Sequence, residues 1–173
     1  MDTLTGGSTN DTFSAQDNAG ALTNTLTTGD NLTGGAGTDT LSIAVSGTGI
    51  TGTSGVATTG IEAVSVYNNQ APATAYAVDA TLMTGLTDLY VNGGTAATSF
   101  TTVGSLANLH LISTNQNATV DAATAATGDA DAAIILSNSS AQTAALTATY
   151  DGLEVINFVA ACATGVKTAS VDR

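Results

Sequence analysis

Apolar side chains recur in alternating pairs along the whole chain, and polar or glycine-rich segments separate the pairs. The first members of successive pairs are 28, 23, 25, 20, 25 and 22 residues apart, which is a degenerate repeat of about 24 residues. The pairs are Phe13/Ala15, Leu41/Ile43, Val64/Val66, Leu89/Val91, Leu109/Leu111, Ile134/Leu136 and Ile156/Phe158. Because successive side chains of a strand point to opposite faces, each pair predicts a strand with one buried face.

The segments around each pair predict further short strands and tight corners. In four units an aliphatic residue precedes the pair by three positions, and glycine comes directly before it at Gly60, Gly85 and Gly152. Thr and Gly recur too often for long amphipathic helices, so each unit is predicted to hold two or three strands. A second apolar column follows the pairs by 9 to 14 residues, through Ile50, Val78, Phe100, Val120 and Leu146.

These repeats predict an all-β fold, a right-handed parallel β-solenoid in which each coil buries its inner face against its neighbours. We expect one elongated domain over residues 1–173, as part of a larger protein, with residues 1–45 and 46–173 patterned differently. Two alternatives stay open. A β-sandwich with irregular strands accommodates the same pairs, and Leu86-x-x-Leu89-x-Val91 matches the first half of a leucine-rich repeat.

Composition argues for a thin core and an acidic surface. Aromatic residues make up 4% of the chain and tryptophan is absent, so small and β-branched side chains must fill the interior. Lys167 and Arg173 face fourteen carboxylates, which gives a formal net charge of −12. Nucleic acids and anionic membranes require a basic face, so neither is expected as a partner, and metal cations are the natural counter-charge.

Catalytic machinery is not expected. His110 is the only histidine and alternates away from the core, and the chain has no Gly-x-Ser-x-Gly elbow. Cys162 has no second cysteine to pair with and lies in an apolar run. The chain shows neither a secretory signal at Met1 nor an apolar run of about 18 residues, so we expect no enzyme and no membrane insertion.

One stretch departs from this uniform composition. Residues 34–42 read Gly-Gly-Ala-Gly-Thr-Asp-Thr-Leu-Ser, and residues 6–14 repeat the double glycine, the aspartate and the apolar residue 28 positions earlier. The three glycines of the later copy allow positive φ and a turn that directs carbonyl oxygens inward, and Asp39 adds a carboxylate. Calcium accepts this mixture of oxygens at six to eight positions. The turn therefore predicts a calcium site where it runs into a strand.

Residues 34–42 resemble the nonapeptide of RTX proteins, glycine-glycine-x-glycine-x-aspartate-x-apolar-x, at every defined position. Residues 6–14 depart from that pattern once, with Thr9 in place of the third glycine. Residues 2–5 and 30–33 resemble the lead-in to the glycines in this family. The resemblance implies a β-roll whose turns bind Ca²⁺. The residues that it implicates are Asp2, Gly6, Gly7, Thr9, Asp11, Asp30, Gly34, Gly35, Gly37 and Asp39.

The repeat register adds an acidic column that does not depend on the resemblance. In a solenoid this column runs along one edge, with neighbouring carboxylates about 5 Å apart, where like charges repel unless a cation bridges them. Glu62 therefore joins the predicted calcium ligands, and Asp129 with Asp131 forms a separate candidate site. The residues two positions before each apolar pair are Asp11, Asp39, Glu62, Thr87, Ala107, Ala132 and Glu154.

The unit shape and the Thr/Ala/Gly bias of most of the chain resemble bacterial surface-layer (S-layer) proteins of the type I secreted kind. The resemblance implies a secreted, cell-surface structural protein that folds on binding Ca²⁺ and assembles with copies of itself into a lattice or filament. Cell-surface polysaccharide is a further candidate partner. Two alternatives stay open, a calcium-stabilised adhesin or binding module of a secreted RTX protein, and an ice-binding solenoid with a Thr-rich face.

Overall fold

The computed structural model describes residues 1–18, 24–71, 73–104, 106–114 and 116–122, and the backbone of four further strands between residues 131 and 172. These described residues contain no helix and form sixteen strands. In chain order the strands are β1 (Thr3–Thr5), β2 (Thr12–Asn18), β3 (Asn31–Thr33), β4 (Thr40–Gly47), β5 (Gly52–Thr53), β6 (Ala57–Thr59), β7 (Ala63–Gln70), β8 (Tyr76–Asp79), β9 (Asp88–Gly94), β10 (Thr98–Val103), β11 (Asn108–Ile112), β12 (Ala118–Ala122), β13 (Asp131–Ser137), β14 (Leu146–Asp151), β15 (Val155–Ala161) and β16 (Lys167–Asp172).

The strands form three sheets, and every ladder in them is parallel. The three-stranded sheet has the order β1-β3-β6, the six-stranded sheet β16-β14-β12-β10-β8-β5, and the seven-stranded sheet β15-β13-β11-β9-β7-β4-β2. Each strand pairs with strands from the neighbouring repeats, so the chain winds as a parallel β-solenoid and the predicted fold class is confirmed. The sandwich and leucine-rich-repeat alternatives fall away, since the ladders join successive repeats and the described return segments are strands.

The predicted apolar pairs lie on the seven-stranded sheet, and six of the seven are in the predicted register. Leu41 pairs with Phe13 and with Val64, and the same column continues to Leu109 and Ile134. The last unit differs, because Ile134 pairs with Phe158 and Ile156 pairs with Ala132. A slip of two residues keeps the same face toward the core, so alternation alone could not reveal it.

The second predicted column is right in its middle and wrong at both ends. Val78, Phe100 and Val120 pair in succession on the six-stranded sheet. Thr53 takes the position assigned to Ile50, and Tyr150 takes the position assigned to Leu146. Thr53 is polar and Tyr150 follows a loop of different length, so neither stood out from the apolar pattern.

The core is a set of side-chain columns that run along the solenoid axis. Leu41, Val64, Leu89 and Leu109 stack one above the other on the inner face of the seven-stranded sheet, and none of them is exposed. Phe100 faces them from the six-stranded sheet and is equally buried. Each coil therefore buries its apolar side chains against the coils on either side, as a solenoid requires.

A cavity in this column should cost far more stability than a deletion at the surface. Leu89→Ala removes a side chain packed between two coils, and we expect a loss of about 2–5 kcal/mol of unfolding free energy. Leu82, which is 50% exposed, provides the matched control, and Leu82→Ala should change the stability by less than about 1 kcal/mol. Denaturant unfolding measures both variants, and equal losses would contradict the stacked core.

Candidate metal centre

Three successive glycine corners stack between the three-stranded and the seven-stranded sheets. They are residues 6–11 between β1 and β2, residues 34–39 between β3 and β4, and residues 60–62 between β6 and β7. Main-chain hydrogen bonds join each corner to the next: Thr40 N–H donates to Asp11 O at 2.9 Å, and Glu62 N–H donates to Asp39 O at 3.1 Å. The two glycine motifs that are 28 residues apart in the sequence are thus direct neighbours in space.

Gly34 is required by the close approach of the corners. A Cβ at Gly34 would lie 1.7 Å from Gly60 O and 2.4 Å from Asp39 Oδ2, which no side chain tolerates. The expectation that all three glycines of this motif take positive φ is wrong at Gly34. It holds for Gly35, with φ of 110°, and for Gly37, with φ of 125°. Sequence reasoning thus found the right residue with the wrong reason.

The acidic column is present at these corners, and each acid holds the backbone of the acid one coil earlier. Asp39 Oδ1 accepts the Asp11 N–H at 2.7 Å, and Glu62 Oε2 accepts the Asp39 N–H at 2.8 Å. Asp11 Oδ2 accepts the N–H of Gly7 within its own turn at 2.6 Å. These N–H dipoles lie between successive carboxylates and offset part of the repulsion that the sequence predicts for the column.

One oxygen of the column has no hydrogen-bond partner. Asp39 is fully buried, and its Oδ2 accepts no hydrogen bond. The Gly60 carbonyl oxygen lies beside it, against the α-carbon of Gly34. Asp11 Oδ2 and the Gly34 carbonyl oxygen lie in the same way against Gly6, one coil earlier. A carboxylate oxygen and a carbonyl oxygen therefore converge twice in succession, and the second pair contains a buried oxygen without a donor.

Asp2 and Asp30 lie at a different corner. Asp30 precedes β3 whereas Gly34 follows it, so a three-residue strand of about 10 Å separates the two corners. Asp30 is buried and accepts hydrogen bonds from the N–H groups of Asp2 and Thr27, at 2.7 and 2.8 Å, and from the Thr27 hydroxyl. Burial raises the pKa of Asp30, but these hydrogen bonds outweigh burial and hold that pKa below its ordinary value.

The remaining predicted ligands divide in the same way. Thr9 and Gly37 meet where the first two corners stack, because a Cβ on Gly37 would lie 2.7 Å from the Thr9 carbonyl carbon. Thr87 follows Glu62 in the column, since its N–H donates to Glu62 O at 2.8 Å. In the last coil the register places Ile156 in this column, which corrects the prediction for Glu154. Glu154 and Asp129 lie outside the described residues, as does the side chain of Asp131.

The corner fits a cation whose ligands are mainly main-chain oxygens. The described residues contain no group of three or more His, Cys, Asp or Glu side chains around one point. Two carboxylates at most approach each step of the column, so carbonyl oxygens such as that of Gly60 must supply the other ligands. Calcium accepts such mixed oxygen shells, and a buried carboxylate oxygen without a donor is the kind of atom that such an ion satisfies.

The sequence analysis missed a buried polar cluster near the start of the solenoid. Asp17 is 6% exposed and accepts hydrogen bonds from Tyr76 Oη at 2.8 Å and from Asn24 Nδ2 at 3.2 Å. Burial raises the pKa of Asp17 although both groups donate to it, and burial beside this carboxylate raises the pKa of Tyr76 well above its ordinary value. A polar cavity of about 260 Å³ adjoins Asp17 and Thr53.

A second missed feature is a ladder of aspartates on the six-stranded sheet. Asp121 pairs with Asp151, and Asp151 pairs with Asp172, so three acids share one register position in successive coils. A sequence signal was present, because each follows a similar tripeptide in Ala118-Thr119-Val120, Ala148-Thr149-Tyr150 and Ala169-Ser170-Val171. The intervals between these tripeptides are unequal, and this hid the repeat.

His110 lies on the outer face of the seven-stranded sheet, as alternation predicts. Its ring stacks on Tyr90 with centroids 4.3 Å apart, and its Nε2 lies 2.6 Å from Asp88 Oδ1. Burial raises the pKa of Asp88, but hydrogen bonds from His110 and Thr87 outweigh burial, so that pKa lies below its ordinary value. The three side chains tie neighbouring strands together on an exposed face.

No family model, curated protein or solved structure matches this chain. Within the part of the chain that the structure describes, no helix is long and apolar enough to cross a membrane.

The close approach at Gly34 makes a sharp test of the stacked corners. Gly34→Ala forces a Cβ against Gly60 O and must separate the coils, so we expect a loss of about 3 kcal/mol or more. Gly104 is the matched control, because a Cβ there meets no atom within 4 Å and its φ is not positive. Gly104→Ala should change stability by less than about 1 kcal/mol in denaturant unfolding. Equal effects of the two variants would show that the corners are not in contact.

The lowered pKa of Asp88 predicts a pH dependence of stability. Its contribution is complete above the unfolded carboxyl value of about 3.9 and is lost as the pH falls through the lower folded value. Relative to the parent chain, Asp88→Asn should therefore be less stable at neutral pH and nearly equal near pH 2. His110→Phe keeps a ring over Tyr90 but removes the hydrogen bond, and it should show the same trend. Denaturant unfolding over this pH range measures the difference, and parallel profiles would contradict it.

Proposed function

We propose that this chain is a calcium-dependent structural protein that works outside the cell and assembles with copies of itself. The observation that carries the proposal is the buried Asp39 Oδ2, which has no donor and lies beside the Gly60 carbonyl oxygen. A buried unpaired carboxylate oxygen costs roughly 1–3 kcal/mol or more, so a bound cation would stabilise the fold where it is weakest. The RTX-like order of residues 34–42 supports calcium as that cation.

The residues that would hold the ion are those of the stacked corners. Asp39 supplies the buried carboxylate oxygen, Glu62 and Asp11 supply neighbouring carboxylates, and Gly34 and Gly60 supply carbonyl oxygens. Calcium bound there would neutralise charge in the acidic column and join three successive coils.

The extracellular location follows from the affinity expected of such a site. Calcium modules that work outside cells bind with a Kd on the order of 10⁻⁴–10⁻³ M. Such a site stays empty at cytosolic calcium levels and fills outside, so the ion would stabilise the solenoid only after export. At ten times Kd, one site adds about 1.4 kcal/mol to the unfolding free energy.

A structural role suits the rest of the molecule. The His110–Asp88 pair lies on an open sheet face and binds within the sheet, which is the arrangement of a surface contact between strands. The formal charge of −12 makes copies of the chain repel one another until cations reduce it. Calcium would thereby control both folding and association, as in the surface-layer proteins that the sequence resembles.

Asp39→Asn tests the calcium site with almost no change in shape. Without calcium, the variant should be as stable as the parent or more stable, because it removes a buried charge and places an amide N–H₂ beside the Gly60 carbonyl. In millimolar calcium the parent should gain stability and the variant should not. Asp79→Asn, which changes an acid bonded to Thr81 in another turn, should respond to calcium like the parent.

Circular dichroism during thermal unfolding, with chelator and with calcium, measures all three chains. Equal gains for the parent and Asp39→Asn would place the calcium site elsewhere. No gain for the parent would contradict calcium dependence.

A further inference from the structure

The first coil ends the seven-stranded sheet with an open β-edge. Asp11 O accepts the N–H of Thr40 from the next coil, so backbone groups at odd positions of β2 face β4. Backbone groups alternate along a parallel strand, so those of Ser14 and Gln16 face the opposite side. Thr25 covers this side at Gln16, through bonds of 2.8 and 2.9 Å to its N–H and carbonyl groups. At Ser14 the described residues place no partner.

The interior columns also reach this end without a cap. Leu4 is 52% exposed, whereas Leu32, its partner one coil later, is 4% exposed. Phe13 is half-buried, whereas its partner Leu41 is fully buried. Solenoid ends that stay in water carry a polar cap, and an open edge above an apolar cross-section is a template for another strand.

Charge indicates which strand fits this end. Residues 1–18 contain three aspartates and neither lysine nor arginine. Residues 155–173 contain both cations of the chain, Lys167 and Arg173, and one acid. The strand β15, which is as long as β2, is the last strand of the seven-stranded sheet at the opposite end of the stack. The two ends of the solenoid thus carry complementary charges and strands of equal length.

We infer that the occupant of the open edge is a second copy of this chain, whose β15 pairs in parallel with β2. The inference rests on the proposed function in one respect, since it names the surface through which the chain assembles. Such a contact joins two different surfaces and leaves both outer ends free, so it repeats without closing and builds a filament along the solenoid axis.

Ser14→Pro tests the edge without breaking the coil. Proline is tolerated in an edge strand where the N–H faces outward, but it removes the donor and blocks an incoming strand. We expect the variant to need about ten times more protein, or more, to assemble in millimolar calcium. Ser14→Thr keeps the N–H and should assemble like the parent. Light scattering and negative-stain imaging measure assembly, and circular dichroism confirms that each variant is folded.

The outcomes separate the inference from the proposed function. Filaments from the parent and Ser14→Thr, with folded monomers from Ser14→Pro, support it. Equal assembly by folded Ser14→Pro overturns end-to-end pairing and leaves self-assembly standing. A parent chain that stays monomeric at every calcium concentration overturns both. Lys167→Glu should weaken assembly while Lys167→Arg should not, and equal assembly by these two variants would contradict the pairing of the acidic end with the cationic end.

Discussion

The structure depends on the approach of successive coils at the glycine corners. At Gly34 the backbone of one coil touches the carbonyl of the next so closely that no side chain fits between them. The same corner locks the register, because Asp39 and Glu62 each accept the main-chain N–H of the acid one coil earlier. Once the register is fixed there, each apolar column along the axis is aligned, and the thin core of small side chains can pack without gaps.

This locking leaves one atom unsatisfied. The carboxylates hold the backbone with one oxygen each, and the second oxygen of Asp39 is buried with no donor. Native proteins rarely keep such a group, and where they do it usually serves a purpose. A solenoid that is stable at its core and strained at its acidic corner can be controlled by the concentration of one cation. The proposed function follows from that imbalance.

Much of the fold could be predicted from the sequence because strand alternation and the repeat length are independent signals that agree. The column from Phe13 to Ile134 is correct for this reason. Failures arose where several frames bury apolar residues equally well, as at Ile156 and Phe158, or where a polar residue such as Thr53 holds an interior position.

The candidate site was predictable in part. The glycine motif located the corner, and the repeat register added Glu62 to it. Which carboxylate oxygens bind backbone N–H groups and which do not depends on turn geometry that composition does not encode. The Asp17–Tyr76 pair joins residues 59 positions apart through a buried contact, and no local pattern marks it.

Native-state hydrogen exchange at single-residue resolution, with and without calcium, tests the central claim most directly. The claim is that a cation at the stacked corners joins the coils. The amide protons of Asp11 and Asp39 bind carboxylates of the column, so calcium should slow their exchange first and most, with smaller effects spreading along the stack. Unchanged exchange at these two amides, with protection gained elsewhere or nowhere, would contradict the account.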